Sequence, residues 1–558
     1  MTSIDPLLLA NLAALREVNP DLMLRITWPC GSEHVAWSDD GGAAFRIHRE
    51  WHRLSVTQAE IAAALAGYDP EKEALLLGLG LGDVLERLVS GANAPVLAWE
   101  RDPWLLRLVL SRRDWTDEIS SGAVRFMLTT DLLDVAREGV AQVLPHPLLG
   151  AVYRHEALLL RDGVQERRVL LGLGGLFVDD LADTLRGEGV SVIPWDTSGW
   201  SREELARAGK VVEAEAALQI NYTRGLAEAC AEVGVPLRVW EIDPSTDELP
   251  SVAGGPLGPA SQGAVVATWR ETHVELFKQA GFTRVLHLPL AANERNRRPL
   301  ELSLEEKAEV DADIVFVGSS MVEQGFAFRQ RLLAAYVLAR GGDPSSAAKE
   351  GEAAFESVLE AQRNDFSVYV VPERLYAALP LLRAPMASQA AQEALQGARA
   401  DALLGEMAGA HKRITYVANL GQVGIHVWGD DGWRHVEEYG VVYRGPAGHK
   451  TQLTRIYNSD AIHLDIGRLY QSDIITMRVF DVLACGGFCL AEWSPGLEAL
   501  FVVGEELDCY RTLEEMLQKV EYWLDAGPEA RRAVGERGRQ RVLSDHTIAH
   551  RLRVLLKS

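Results

Sequence analysis

Two aspartates and an arginine near the C-terminus carry the clearest chemical pattern in the chain. Asp473 and Asp481 are separated by seven residues, Arg478 lies between them, and Glu498 follows a Pro495-Gly496 turn. Carboxylates held in this way accept pairs of sugar hydroxyls in charge-assisted hydrogen bonds of about 1.5–3 kcal/mol each, and a guanidinium beside them meets a diphosphate. The set therefore suits the binding of a nucleotide-sugar and the transfer of its sugar. Taken singly the same residues have plainer readings, because acids near a helix start serve as caps and an arginine in a helix is commonly solvated or ion-paired. It is the ordered set that points to chemistry.

Positioning such a set takes a helix followed by a strand. Val479, Phe480, Val482, Leu483 and Ala484 form an apolar face, Gly486 and Gly487 supply a stop, and Phe488 to Ala491 read as a short buried strand. In a parallel α/β domain the ligand lies where strand C-termini meet helix N-termini, since free amide N–H groups and the helix dipole favour anions there. Asp473 is expected just before the helix, Arg478 in its first turns and Asp481 further along it.

From Tyr457 to Leu524 the runs IHLDIG, TMRVFDVLACGGF, SPGLEALF and EEMLQKVEYWL resemble the C-terminal half of CgeB-type glycosyltransferases, which are similar to the large retaining group called glycosyltransferase family 4. The resemblance extends over roughly Glu166 to Val554 and implies an α/β, GT-B type pair of Rossmann-like domains, a nucleotide-sugar donor and retention of configuration. It also implies roles. Asp473 falls on the first of the family's two spaced acids, which contacts the donor sugar; Asp481 falls on the second, which contacts the ribose; Glu498 matches the acid after the next strand. Both spaced acids are Glu in the family, so Asp draws each carboxylate back by one methylene. The family supplies an Arg and a Lys soon after the strand that opens this domain. Here the Arg place is Ser319 and no Lys follows, so Arg478 is the expected substitute, with Lys450 and Arg455 behind it.

Three glycine-bearing strand-to-helix turns divide the chain into expected domains at 1–162, 163–308 and 309–558. In the first, an apolar strand enters Gly78, Gly80 and Gly82, and Glu100 ends the next strand eighteen residues on, the spacing that holds a ribose in Rossmann-like domains. The GLGLG run resembles the methyltransferase-like domain of MAF flagellin glycosyltransferases, and a protein acceptor such as flagellin is implied only by that likeness. Methyltransferases usually carry an acid two residues before the first glycine. That place is Leu76 here, and no NPPY-like run follows, so a structural or binding role is expected first and an S-adenosylmethionine site only as an alternative. Upstream, WSDDGGAAFRI reads as a hairpin.

The second turn, within Glu166 to Thr197, brings Gly172, Gly174 and Gly175 to a place where backbone could approach a diphosphate or acceptor, although packing of helix on strand explains the glycines as well. The segment TRVLHLPLAAN stands at the place of the hinge, and His273 and His287 near it read as structural hydrogen-bonders. The third turn, Asp311 to Met321, offers backbone N–H groups after Gly318, at Ser319 and Ser320, to a donor phosphate. A helical insertion over about 341–410 reads as a packing or partner surface. The loop GPAGHK, with Tyr443 or Arg444 stacking, could hold the base, or be a plain Gly/Pro turn.

Composition bounds the rest. With 558 residues, 47% of them hydrophobic and 24% charged, about three domains are expected. A net charge of −23 argues against a nucleic-acid or anionic-membrane binder. Five scattered cysteines with no CxxC spacing give neither a disulfide framework nor a metal motif, and no required metal or cofactor is expected. A reducing cytoplasm fits. The first residues lack a basic n-region and no apolar run reaches about 18 residues, so no transmembrane segment is expected. Two readings remain: a glycosyltransferase that closes over its donor and a glycan or protein acceptor, excluding water, or a non-catalytic scaffold that recognises a nucleotide or partner.

Overall fold

Strands such as Ala74–Leu77, Val96–Glu100 and Ala216–Ile220 are buried at every position, as expected of parallel sheets covered by helices on both faces. The computed structural model of the chain describes residues 5–29, 35–38, 42–47, 50–196, 199–242, 258–383, 386, 388–448 and 451–558. Three parallel sheets organise it. The first has four strands in the order Val124–Leu128, Val96–Glu100, Ala74–Leu77, Gln142–Pro145. The second has six, from Arg284–His287 through Val265–Thr268, Leu237–Glu241, Ala216–Ile220 and Arg168–Gly172 to Ser191–Trp195. The third also has six, from Val442–Tyr443 through His426–Trp428, Ile314–Val317, Ile462–Asp465 and Phe488–Glu492 to Asp508–Tyr510. This is the expected α/β class, two Rossmann-type sheets preceded by a third.

The two strands of the expected hairpin pair antiparallel within a small sheet of Val35–Trp37, Ala43–Ile47 and Glu50–Arg53, and its turn, residues 39–41, lies outside the described residues. The helical insertion is wider than its sequence bounds. Helices Val322–Arg340 and Ala400–Ala418 flank Pro344–Arg363, Val371–Ala378 and Gln389–Ala394, and enclose a core of their own around Leu332, Phe355, Leu359, Leu375 and Leu404. Both flanking helices contribute to that core, Val322–Arg340 through Leu332, Ala335 and Tyr336 and Ala400–Ala418 through Leu403, Leu404 and Ala408.

Helix Leu513–Asp545 breaks at Gly527, which has φ 81° and precedes Pro528. After it, Ile548–Lys557 leaves the third sheet and packs back on the second: Arg551 donates to the carbonyls of Pro289 and Leu290 at 2.8 and 3.2 Å, and the Ile548 N–H donates to Ala292 at 2.9 Å. One apolar cluster runs from Val169 and Leu171 through Leu290 and Leu552 to Phe480 and Val482, so the two six-stranded halves share a core. Cys230, Cys485, Cys489 and Cys509 are free and buried. No described helix is long and apolar enough to cross a membrane.

Candidate functional site

In the third sheet the chain enters at Ile314–Val317, adds two strands on one side, then crosses to Ile462–Asp465 and adds two more on the other. Such a reversal leaves a crevice outside the carboxyl ends of the strands, where ligands of open α/β sheets bind. Two arginines enter it. Arg413, from helix Ala400–Ala418, donates to the carbonyls of Ser319 and Ile466 at 2.8 and 3.1 Å, one beyond each central strand. Its Nε is buried without a partner among the described residues, and burial together with the charges of Arg478 and Arg468 pulls its pKa down to about 10. Arg478, in the first turn of helix Met477–Ala484, donates to the Val317 carbonyl at 2.7 Å, pairs with Asp465 and lies 4.7 Å from the Phe316 ring centre. Burial opposes its charge, but Asp465 outweighs that and holds the guanidinium pKa above its ordinary value.

Beside this crevice a cleft of about 420 Å³ opens over the ends of Ile462–Asp465, Phe488–Glu492 and Asp508–Tyr510. Asp465, Arg468, Glu492, Trp493 and Arg511 line it from the sheet side, and Phe366 and Tyr369 close it from the insertion. Glu492 is fixed from two directions, by the buried Lys412 ammonium at 2.7 Å and by the Gly467 N–H at 2.9 Å. The Arg511 guanidinium stacks 3.5 Å above the Trp493 ring. Arg468 donates to the Tyr470 hydroxyl at 3.0 Å, and that hydroxyl donates to Glu406. The buried Trp493 Nε1 has no partner among the described residues. Cations, acids and aromatic faces thus converge on one opening, the mixture that a charged, hydroxylated ligand requires.

Arg478 is in the crevice, but its charge is satisfied by Asp465 and its guanidinium by the Val317 carbonyl. Asp473 sits among cleft-lining neighbours Ser472 and Ile474, yet its carboxylate faces the second sheet, where Arg270 holds it at 2.8 Å. Asp481 is buried and pairs with Arg297 of the inter-domain segment at 2.9 Å. The two spaced acids are therefore engaged by arginines from outside the domain rather than presented to the cleft. Glu498 is exposed on helix Pro495–Leu500, 3.6 Å from Arg511. At Gly318 and Ser319 a carboxylate already occupies the expected phosphate seat: Asp430 accepts from the Ser319 and Ser320 hydroxyls, from the Ser320 N–H at 2.8 Å and from the Gly432 N–H at 3.1 Å. Burial pushes its pKa up, but these bonds outweigh it and hold Asp430 below the usual carboxylate range. The Tyr443 hydroxyl donates to Gly429 and Asp431 at 3.1 and 3.2 Å, with Arg434 rather than a base over its ring. Lys450 lies outside the described residues.

The other two glycine turns are filled by the protein itself. A Cβ on Gly172 would collide with the Gln219 amide, and Gly174 has φ 88°, so the second turn answers to close packing and to backbone conformation. At the first turn Gly78, Gly80 and Gly82 all have positive φ. His146 lies over Gly80, 2.6 Å from where a Cβ would be, and Tyr153 lies over Gly78. Glu100, expected to meet a ribose, is fully buried: it accepts from the Leu79 and Arg101 N–H groups at 2.8 Å each and from the Tyr153 hydroxyl. Burial, the largest influence, raises its pKa. Its carboxylate is thus engaged by the protein's own amides and the Tyr153 hydroxyl.

Residues 412–557 match the family model described as glycosyl transferase-like. The match begins at Lys412 and contains both crevice arginines, Arg413 and Arg478, and the sheet-side wall of the cleft, Asp465, Arg468, Glu492, Trp493 and Arg511. No curated protein matches the chain. Among solved structures it is similar to a glycosyltransferase from Rickettsia africae at 12% identity, covering 70% of this chain and 97% of that one with a TM-score of 0.38. Anabaena HepE in complex with UDP-glucose is similar at 10% identity, 70% and 98% coverage and a TM-score of 0.38. The MAf glycosyltransferase of Magnetospirillum magneticum is similar at 12% identity, 74% and 92% coverage and a TM-score of 0.21. With TM-scores of this size, the fold rests on the strand order itself.

Within the matched residues 412–557, sequence spacing missed Asp465, Glu492, Lys412 and Arg413. Asp465 and Glu492 are each the last residue of a strand, and an acid closing an apolar run was the available signal. Lys412 and Arg413 had none, since a basic pair in a helix reads as a solvated face. Among the described residues no group of three or more His, Cys, Asp or Glu could hold a metal ion.

Proposed function

We propose that the chain is a glycosyltransferase whose nucleotide-sugar donor binds in the cleft at the carboxyl edge of the third sheet and whose acceptor, a glycan or a protein, approaches from the second. The observation that carries this is the coincidence of the glycosyl transferase-like match with the residues that converge on the cleft. In this reading Glu492, held rigid by Lys412 and Gly467, accepts sugar hydroxyls. Arg468 and Arg511 stand where the diphosphate would lie, and Trp493, Phe366 and Tyr369 supply apolar faces. As the bond to the sugar breaks, charge builds on the leaving phosphate. Preorganised guanidinium groups in a partly closed site stabilise it without reorganisation, an effect of roughly 3–4 kcal/mol for a single well-placed donor. Cations of the protein, rather than a metal, neutralise the leaving group in this proposal. Retention of configuration belongs to the same reading and rests on the resemblance to CgeB-type and family 4 enzymes. Asp473 and Asp481 act here by holding structure, and Glu498 by restraining Arg511.

Incubating purified full-length protein with a panel of nucleotide-sugars and measuring free nucleotide tests the proposal. One donor should be turned over, Glu492→Gln should lower kcat/KM about 100-fold, and Arg511→Ala should raise the KM for the donor about 10-fold. No release from any donor, with or without a glycan or protein acceptor, together with no binding of a nucleoside diphosphate, would leave the non-catalytic scaffold reading.

A further inference from the structure

Arg270 has no part in the glycine turns, the spaced acids or the family match, yet it reaches the cleft wall from another domain. It follows strand Val265–Thr268, at the carboxyl edge of the second sheet, and its main chain is fixed there by hydrogen bonds with Thr268 and His273. Its side chain is buried. Across the domain boundary and 203 residues along the chain, its Nε donates to both oxygens of Asp473 at 3.1 Å and a terminal nitrogen donates to one of them at 2.8 Å. Thr272, two residues on, adds its hydroxyl to the other oxygen at 2.8 Å. Asp473 stays below the usual carboxylate range because Arg270 outweighs the burial that pushes it up. This is a planar fork on a carboxylate, a geometry that fixes orientation as well as distance and that a lysine does not reproduce.

The consequence lies in what flanks Asp473. Gln471, Ser472, Ile474 and Thr476 line the cleft, and the segment between strand Ile462–Asp465 and helix Met477–Ala484 has no regular secondary structure of its own. Its Asp473 carboxylate points to the second sheet while its neighbours face the opening. We propose that Arg270 is a positioning residue for the transfer reaction: by gripping Asp473 from the acceptor-side domain it sets the wall of the donor cleft, so that the cleft is complete only when the two domains are closed. The proposal rests on the cleft being the donor site. Another cross-domain pair, Arg297 with Asp481, differs in kind. Both of its partners are buried, with side chains 5% and 6% exposed, and it lies on the connecting segment. Asp473 is 22% exposed, at the edge that opening would wet. The pair of Arg270 and Asp473 is the clasp.

The test compares the full-length wild type with Arg270→Ala, Arg270→Lys and the exchanged pair Arg270→Asp/Asp473→Arg. Hydrogen exchange at the amides of residues 471–476 is read first, because it needs no substrate. Arg270→Ala should speed exchange there about 10-fold while leaving the strands of the third sheet protected, Arg270→Lys should fall between, and the exchanged pair should recover protection. On the best donor, Arg270→Ala should raise KM about 10-fold with a smaller change in kcat. Unchanged exchange in Arg270→Ala, or no recovery in the exchanged pair with the fold intact, would overturn the proposal. Faster exchange with no donor turned over even by the wild type would retain the clasp and sink the catalytic reading instead.

Discussion

Replacing Asp481 by alanine separates two accounts of this residue. Its spacing from Asp473 assigns it to a ribose, whereas the structure buries it against Arg297, with Nε 2.9 Å from its carboxylate and a second guanidinium nitrogen 2.9 Å from the Thr454 hydroxyl. Both side chains are nearly inaccessible to solvent. Removing the carboxylate strands a buried guanidinium, and breaking a buried pair in this way costs about 3–5 kcal/mol because the remaining charge is left uncompensated. Melting of a unit of roughly 250 residues moves by about 2 °C per kcal/mol, so the transition of the C-terminal domain should fall by roughly 6–10 °C. The companion Arg297→Met/Asp481→Leu, which removes both charges at similar volume, should regain most of that loss. Scanning calorimetry of the three proteins gives the answer, with nucleoside diphosphate titration alongside. If Asp481→Ala melts with the wild type and loses nucleotide binding, the carboxylate is a donor ligand and the reasoning from burial is refuted.

Asp102 is buried beside Asp196 and Glu100, and burial first, then those two charges, push its pKa up to about 7. A raised folded-state pKa means that the native protein holds this proton more tightly than the unfolded chain, so its stabilising effect is present at about pH 4 and is lost as pH rises through about 7. Asp102→Asn keeps an acceptor for the Trp104 and Leu105 N–H groups that Asp102 now caps and should flatten the denaturation midpoint across that window; identical pH profiles for the two proteins would refute the assignment. At the first glycine turn, Tyr153→Phe takes one donor from the buried Glu100 carboxyl and should cost about 1–3 kcal/mol in denaturant unfolding. Because His146 and Tyr153 occupy that turn, S-adenosylmethionine at millimolar concentration should not raise the melting temperature, and a clear rise would show that the turn opens.

The elements were legible because their causes are local. An apolar face ended by Gly486 and Gly487 predicts a helix and then a strand, and Met477–Ala484 followed by Phe488–Glu492 is what forms. The site was legible only in outline because its partners are distant: Lys412 meets Glu492 eighty residues later, and Arg270 meets Asp473 from another domain. An acid spaced for a sugar and an acid spaced for an arginine read identically in a chain, and so do a phosphate seat and the same seat filled by Asp430.

What distinguishes them is the charge opposite each group once the chain is folded. Asp473, Asp481 and Asp430 face arginines or amides that satisfy them. Glu492 is satisfied as well, but on its inner side, by Lys412 and Gly467, while it still lines an opening whose other walls carry Arg468 and Arg511. A carboxylate fixed from behind and open in front is preorganised for a ligand. A carboxylate turned away from that opening onto an arginine of the neighbouring domain is a joint. By that criterion the proposed chemistry belongs at the ends of strands Ile462–Asp465 and Phe488–Glu492, while Asp473 and Asp481 pair with arginines of the neighbouring domain and connecting segment.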